Sequence, residues 1–479
     1  MKMDKALQRG LRLAFALLAG FAVASCGGGD GTVGSGGTGR SAGYAAGTVN
    51  GFGSVIVDGV PFDNRDAPSV FEVAPGQDAL TEVKLGQRVS VSYETAGVAT
   101  VVRVDPALVG VVSDVVSSGQ FTVYGQTVVI NSGAATGPVT QFGGGYGQAA
   151  DVLAGDAIEV HGVLVKQSDS YRIQATRVDK LSSLPNYVRV MGVLSTVGNG
   201  ASTLSIGALN IDAAGSAVIP PDRTPAVGQT VSVLALASTL TMPGPGIWHV
   251  RAAQVRIRQL KASDNDLDDY VSGAISDLNS QTKTFSLGSQ PVSYASAAIA
   301  PPLALANGQY VRVRGAIDMS ATLVATSIDI RDDGVANESE LRGNVAGFDA
   351  ATKRLTVRDV VVDASKATLE GCPASGLADG LYVEVAGALG STAVLAHSVH
   401  CEDEPSGATI EREGVVAAVD LAAATLSLVP EHGLSVSVQW TAGTYFGGVT
   451  PQTLLGKKVS VEGTLSGSML IAKKIKLGD

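Results

Sequence analysis

The sequence has little of what catalysis and metal binding most often use. Its 479 residues include five histidines and three cysteines, and charged residues make up 16% of the chain. No Gly-x-Gly-x-x-Gly motif after a strand, no phosphate-binding loop and no Cys-x-x-Cys motif is present. The histidines follow no Ser/His/Asp or zinc-ligand spacing; they are His161, His249, His397, His400 and His432. We therefore expect no enzymatic activity, no catalytic residue, no cofactor and no metal.

Positive charge is also scarce. Lysine and arginine number 34 against 44 aspartates and glutamates, and the formal net charge is −10. A surface of this sign repels phosphate backbones, so we expect no nucleic-acid partner. A nucleic-acid binder or a hydrolase stays a secondary alternative, because residues from distant parts of the chain can still meet in one pocket.

Glycine and β-branched residues are abundant instead. Hydrophobic residues make up 45% of the chain, enough for several cores, and 59 glycines interrupt runs of Val, Ile, Thr and Ser. Glycine supplies the positive φ angles of tight turns, and β-branched residues favour strands. The composition predicts an all-β protein with many short strands.

An eight-residue phrase, GQYVRVRG at Gly308 to Gly315, organises the chain. In each copy a glycine turn precedes a strand in which apolar and polar residues alternate. Copies recur every 70 to 80 residues or so, and they begin at Gly86, Gly155, Gly228, Gly308, Gly380 and Gly456. Such an interval suits a small unit of five strands, which can close on itself and hide its edges.

We therefore predict a tandem array of about six small five-stranded OB-like barrels on a string. Their expected ranges are 44–106, 107–184, 185–262, 268–333, 339–403 and 409–479. In the first range Asp58-Gly59 lies between two apolar runs and predicts a type I′ hairpin turn. A β-propeller and a continuous solenoid are alternative architectures.

The first range also resembles a known family. Its opening GFGSVIVDGVPFD and the later LGQRVSV are similar to the bacterial family catalogued as domain of unknown function 5666, whose members occur as tandem copies in surface lipoproteins. The other five ranges resemble it only in the phrase and the strand rhythm. The resemblance implies a fold and an extracytoplasmic location, and it supplies no catalytic or ligand residues.

Residues 1–25 resemble a lipoprotein signal peptide. An apolar run from Leu13 to Ala24 follows the basic residues Lys2, Lys5, Arg9 and Arg12 and is too short for a permanent membrane span. Val23-Ala24-Ser25-Cys26 resembles the lipobox, so we expect Cys26 to carry lipid and residues 26–43 to form a flexible Gly/Ser tether. With Gly27 after the cysteine, we expect an outer-membrane lipoprotein. An ordinary secretory peptide with a free Cys26 is the alternative.

The remaining cysteines, Cys372 and Cys401, lie in the fifth range. An oxidising compartment favours a disulfide between them. A metal site with His397 and His400 is the alternative, but positions 397, 400 and 401 do not share one face of a strand.

Acidic residues cluster between the ranges, where calcium could bind and stiffen the string. Solvated linkers are the simpler interpretation, because Asp264-x-Asp266-x-Asp268 lacks the glycine and glutamate of an EF-hand loop. The other acidic residues in question are Asp269, Asp332, Asp333, Glu338, Glu340, Glu402, Asp403 and Glu404.

Aromatic residues are only 5% of the chain, yet four precede phrase strands: Phe142, Tyr146, Tyr445 and Phe446. Rings in such loops could stack on sugars, or they could plug the barrel end. The sequence thus favours a non-enzymatic, lipid-anchored envelope protein that presents repeated modules as a spacer or adhesion array. Its expected partners are the membrane and an envelope polysaccharide or surface protein, and carbohydrate binding is the specific alternative.

Overall fold

The protein is all-β in the part that the structure describes. This structure is a computed structural model, and it describes residues 42–117, 119–260, 262, 267–402, 410–429, 435–466 and 469–477. The signal peptide, Cys26 and the tether lie outside these residues. The helices found within them are six 3₁₀ turns, and none is long or apolar enough to cross a membrane. The turns are Ala134–Thr136, Ala149–Asp151, Asn199–Ala201, Ala237–Thr239, Val335–Asn337 and Pro451–Thr453.

The strands fall into six groups, which we call units 1 to 6. Unit 1 contains β1 (Gly43–Gly51), β2 (Val55–Val57), β3 (Val60–Phe62), β4 (Ser69–Ala74), β5 (Gln77–Leu80), β6 (Arg88–Thr95) and β7 (Val98–Val104). Unit 2 contains β8 (Leu108–Ser117), β9 (Gln120–Val123), β10 (Gln126–Ile130), β11 (Gln141–Gly143), β12 (Ala157–Gln167) and β13 (Ser170–Lys180). Unit 3 contains β14 (Tyr187–Val193), β15 (Thr196–Gly198), β16 (Thr203–Ile206), β17 (Leu209–Asp212), β18 (Ala217–Ile219), β19 (Thr230–Leu236), β20 (Thr241–Gly244) and β21 (Ile247–Ile257).

The second half of the chain repeats this organisation. Unit 4 contains β22 (Asp269–Asn279), β23 (Thr284–Leu287), β24 (Gln290–Ser293), β25 (Ala298–Ala300), β26 (Tyr310–Ile317) and β27 (Leu323–Ile330). Unit 5 contains β28 (Glu338–Asp349), β29 (Arg354–Val357), β30 (Val360–Asp363), β31 (Thr368–Glu370), β32 (Tyr382–Leu389) and β33 (Val394–Glu402). Unit 6 contains β34 (Ile410–Asp420), β35 (Thr425–Val429), β36 (Val436–Gly447), β37 (Lys458–Ser466) and β38 (Met469–Leu477).

Within a unit, five strands pair in a ring, except that in unit 3 the opening strand is divided and β15 rather than β14 pairs with the hairpin. An opening strand pairs with a two-stranded hairpin, the hairpin pairs in parallel with a closing strand, and a phrase strand completes the circuit. In unit 6 the ring is a closed barrel in the order β34–β35–β36–β38–β37. In unit 1 the parallel step is a single bridge between Asp63 and Val98. Units 1 to 5 add a short strand, parallel to the closing strand, that the sequence did not predict: β4, β11, β18, β25 and β31.

The repeated phrase has the same structural role in all six units. Its first glycine has a positive φ, between +73° and +90°. The N–H of that glycine donates a hydrogen bond to a carbonyl of the opening strand, as from Gly308 to Ile275 at 2.8 Å, and the phrase strand begins directly afterwards. The other pairs are Gly86 with Val49, Gly155 with Val112, Gly228 with Leu194, Gly380 with Val345 and Gly456 with Val416. The first glycine of the phrase therefore hydrogen-bonds the start of the phrase strand to the opening strand.

A further glycine, on the opening strand, faces the first apolar residue of each phrase strand. A side chain on this glycine would collide with the hairpin in several units; in unit 2 it would overlap the ring of Tyr124. The six positions are Gly47, Gly110, Gly192, Gly273, Gly343 and Gly414. Each begins a Gly-x-apolar triplet. The triplet was visible in the sequence but was not recognised as part of the repeat.

Units 1 to 5 are not separate barrels on a string, and that part of the expectation was wrong, whereas unit 6 is a closed barrel with its own core. β1 of unit 1 pairs in parallel with β22 of unit 4, which makes one sheet of 13 strands. β8 of unit 2 pairs antiparallel with β14 of unit 3, which makes a sheet of 14 strands. Units 2 and 3 share one hydrophobic core, and so do units 1 and 5. The stacked, continuous sheets resemble a solenoid more than isolated beads.

Candidate binding surfaces

In unit 2 the two loop aromatics, Phe142 and Tyr146, pack into or against the core. Tyr146 is 6% exposed, and its hydroxyl donates a 2.5 Å hydrogen bond to Asp156. Phe142 packs against the shared core of units 2 and 3, and its backbone N–H donates to the carbonyl of Ser391 in unit 5. These rings pack into or against the core of units 2 and 3, which leaves little of them exposed for stacking on a ligand.

In unit 6 the two loop aromatics, Tyr445 and Phe446, differ in their exposure to solvent. Phe446 packs against the core with its ring edge-on to Trp440, at 6.2 Å between centroids. Tyr445 is 63% exposed and pairs across the sheet with Lys474 of the closing strand. Of the four predicted ligand-contact rings, Tyr445 is the most exposed, because Phe142 and Phe446 are half-buried and Tyr146 is buried.

Cys372 and Cys401 form a disulfide, as the sequence predicted. The bond joins the connection before the phrase strand of unit 5 to the end of its closing strand. The two cysteines therefore do not act as metal ligands with His397 and His400. His400 instead lies 3.9 Å from Glu370 across β31 and β33.

The acidic positions within the described ranges mostly have protein partners. Asp268 pairs with Arg314 at 2.6 Å, Glu340 pairs with Arg342 at 3.1 Å, and Asp332 accepts the backbone N–H of Tyr310. No group of three or more His, Cys, Asp or Glu side chains in the described part of the chain could hold a metal ion. Asp264, Asp266, Asp403 and Glu404 lie outside the described residues, as does His432.

A surface groove of about 630 Å³ opens at one end of unit 5. One wall comes from the end of the opening strand and the turn after it, with Phe348 and Lys353, and the other from the connection that carries Cys372. The connection contributes Ala364, Ser365, Ala367, Leu369, Ser375, Gly376, Leu377, Ala378 and Asp379. We call this the unit 5 groove.

A buried polar junction joins unit 1 to units 2 and 4. The Tyr310 hydroxyl of unit 4 donates to the fully buried carboxylate of Asp58, at 2.9 and 3.0 Å from its two oxygens. Arg88 donates to the Tyr310 hydroxyl and to the carbonyl of Ser272, and its backbone N–H donates to Nδ1 of His161 in unit 2. Burial, followed by the charge of Asp58, raises the pKa of Tyr310, so its hydroxyl stays a donor.

A second polar junction joins unit 1 to unit 3. Glu72 of β4 is 5% exposed and accepts hydrogen bonds from Arg189, Gln254 and Arg256 of unit 3, at 2.9 to 3.1 Å. Burial acts to raise the pKa of Glu72, but the charges of Arg256 and Arg189 outweigh it and hold the pKa below its ordinary value. β4 thus docks unit 1 onto the sheet of unit 3 through a buried charge.

Asp105 and Arg258 extend the same junction. Their side chains form an ion pair at 3.1 Å between unit 1 and unit 3. Burial works against the charged carboxylate, yet the charge and hydrogen bond of Arg258 hold the pKa of Asp105 far below its usual range. The sequence analysis identified neither junction. The available signals were Glu72 inside the apolar run Val70-Phe71-Glu72-Val73 and the arginines that alternate in the strands of unit 3.

The matches to a known family lie within individual units of the repeat. The family model described as "Domain of unknown function (DUF5666)" matches residues 109–179, 272–329, 342–400 and 413–476, more than half of the chain. These segments lie in units 2, 4, 5 and 6, whereas the sequence resemblance was drawn mainly from unit 1. No curated protein matches the chain.

Two solved structures show a distant likeness. Silver-bound CusF from Escherichia coli, residues 10–88, is 18% identical; the match covers 15% of this chain and 95% of that one, with a TM-score of 0.14. A Cu(II) form of a CusF variant from the same organism is 20% identical and covers 16% and 99%, with a TM-score of 0.13. TM-scores this low support no conclusion about this chain.

Proposed function

The chain belongs to the DUF5666 family of domains of unknown function, and on that premise we propose that it is a non-enzymatic, lipid-anchored envelope protein. Its units form a stiff array that acts as a spacer or presents binding surfaces to an envelope polysaccharide or a surface protein. We further propose that each unit is an OB-like barrel, because the ring order of opening strand, hairpin, closing strand and phrase strand suits that fold.

The buried polar junctions carry this proposal. Two deeply buried carboxylates, Asp58 and Glu72, are paired with side chains of another unit rather than gathered in a cleft. Shifted pKa values at such places support structure as readily as catalysis. Ionisable groups that are paired between units favour a rigid array that presents binding surfaces, rather than a hydrolase.

The same pairing disfavours a nucleic-acid partner. Arg88, Arg189, Arg256 and Arg258 are directed into junctions between units, where they contact carboxylates and carbonyls. Arginines held there cannot contribute to a basic face for phosphates. An electrophoretic mobility shift with single-stranded DNA at physiological salt would contradict this part of the proposal.

The lipid anchor rests on the lipobox-like Val23-Ala24-Ser25-Cys26, and its place is the outer membrane. Metabolic labelling with an alkyne palmitate analogue tests it. We expect label on the wild-type chain, none on Cys26→Ser, and full label on Ser25→Ala as the matched control. An unlabelled wild-type chain in a labelled envelope fraction would refute the anchor.

Carbohydrate binding through Tyr445 is a second candidate, favoured by its exposed ring. Retention of the Tyr445→Ala variant on a glycan array should fall relative to wild type. Leu455→Ala is the matched control, because Leu455 lies in the same unit and is also 63% exposed. Equal retention of both variants would remove Tyr445 from consideration.

A further inference from the structure

We infer that the unit 5 groove is a binding site for one ring of a neutral saccharide. This inference rests on the proposed binding role and gives it a ligand class and a location. It concerns residues other than the four aromatics that the sequence suggested.

The groove is an open depression that has the volume of a small-molecule site and a mixed polar and apolar lining. Its volume of about 630 Å³ lies within the usual range of ligand pockets, which are mostly apolar with a few placed polar groups. Phe348 and Leu377 provide apolar surface above the core of unit 5, while Ser365, Ser375 and Asp379 provide hydroxyls and a carboxylate. Leu369, another lining residue, is 45% exposed and leaves apolar surface open to solvent.

In unit 2 an aromatic side chain fills this end of the unit. There the connection before the phrase strand inserts Tyr146 into the core, with its hydroxyl bonded to Asp156. That connection also docks on other units, through Val139 to Asn337 and through Gln141 to Gly390. In unit 5 the corresponding residues, 371–379, contain no aromatic side chain, and the groove stays open.

The chemistry of the groove suits a neutral sugar. The apolar side chains of Phe348 and Leu369 can contact the C–H groups of a pyranose, and serine hydroxyls and a carboxylate can hydrogen-bond its hydroxyls. Lys353 lies with its ammonium 5.7 Å from the Phe348 ring centroid and contributes donors at the rim. The groove carries one cation, Lys353, and one anion, Asp379, so it has no net charge to select an acidic ligand.

Two contacts hold the groove in shape before a ligand arrives. Asp379 accepts the backbone N–H of Phe348 at 2.7 Å, which ties one wall to the other. The disulfide between Cys372 and Cys401 fastens the outer wall to the closing strand. A preformed site loses less conformational entropy on binding than a mobile one.

Saturation-transfer difference NMR on the full chain tests the inference, with methyl β-D-glucopyranoside as the probe. We expect transfer to the ring protons of the sugar, and a signal at least fivefold weaker for Phe348→Ala. Because Phe348 also packs against the core, Ser375→Tyr provides a second variant that fills the groove with a ring, as Tyr146 fills this end of unit 2. Tyr445→Ala is the control that leaves the groove intact.

The outcomes separate the possibilities. Loss in both groove variants, with transfer unchanged in Tyr445→Ala, supports the site. Loss in Tyr445→Ala alone overturns it in favour of unit 6, and transfer only to methyl β-D-glucuronide overturns the neutral class. No transfer to any of these glycosides overturns the groove as a sugar site, whereas failure of palmitate labelling would overturn the anchored array and leave the groove result standing.

Discussion

Glycine sets the geometry of this protein at the residue scale. The phrase ends in a second glycine in four units, and the pairing with the closing strand shifts by one residue there; these are Gly162, Gly315, Gly387 and Gly463. A Cβ at Gly315 would overlap the carbonyl oxygen of Val324 on the neighbouring strand. The bulge therefore needs a residue without a side chain.

Replacing this glycine should weaken unit 4. For Gly315→Ala we expect a loss of about 1–3 kcal/mol, because a rigid backbone must move to admit the methyl group. Hydrogen exchange of β26 and β27, followed by mass spectrometry, measures the loss locally. Gly133→Ala is the control, since Gly133 has φ −118° and open space at its Cβ position. Equal protection in both variants would show that the bulge tolerates a side chain.

Glu72 is the second residue on which much depends. Glu72→Gln removes the charge between Arg189 and Arg256, and breaking a buried ion pair on one side costs about 3–5 kcal/mol. Exchange protection of β4 and β21 should fall accordingly. Asp63→Asn breaks only the surface pair with Arg65, whose side chain is 62% exposed, and should cost less than about 1 kcal/mol. Similar losses in the two variants would contradict a buried role for Glu72.

At the scale of the element, local patterns were predictable and long-range partners were not. The Asp58-Gly59 turn has positive φ at both residues, +47° and +81°, as the sequence predicted, because two neighbouring residues determine it. The extra strand β31 was missed because it is three exposed residues long with no alternation. Tyr146 and Tyr445 both follow glycine-rich or small residues, yet only Tyr146 is buried, and its hydroxyl bonds to Asp156 of the following phrase, where unit 6 has Lys457.

The disulfide is the element that stabilises unit 5. Closing a loop of about 30 residues contributes roughly 3–4 kcal/mol in the chain-entropy model. The Cys372→Ser, Cys401→Ser double variant should therefore lose exchange protection in β31 to β33 while β8 to β21 remain unchanged. A uniform loss across all units would show that unit 5 does not unfold by itself.

At acidic pH the β4–β5 hairpin of unit 1 should detach from unit 3. The pKa values of Glu72 and Asp105 are lowered in the folded protein, so their contribution to stability is present above the ordinary carboxyl pKa and is lost as pH falls through the lowered values. Below about pH 4, protection of β4 should decrease, with a shallower pH dependence in Glu72→Gln. A hairpin equally protected at pH 7 and pH 2 would contradict the charge-based docking.

The whole molecule is a body of five interlocked units, with a sixth that has its own core. Small-angle scattering of the chain should therefore fit one rigid shape for units 1 to 5, with variation only in the position of unit 6, and added calcium should leave the curve unchanged. A curve that requires independent motion among units 1 to 5 would restore the flexible string. The sequence suggested that string because each unit repeats locally, whereas the pairing of β1 with β22 depends on surfaces far apart in the chain.

β1 and β22 pair although they are far apart in the chain, and this separation affects how the protein can mature. The backbone N–H of Tyr44 bonds to the carboxylate of Asp269, 225 residues later, and β1 pairs with β22 in the same region. If the chain crosses a membrane from its N-terminus, unit 1 emerges first yet lacks its covering strand until more than half of the polypeptide has followed. In that case this edge of unit 1 stays uncovered until unit 4 has followed, and a truncation after unit 3 would leave the edge permanently open.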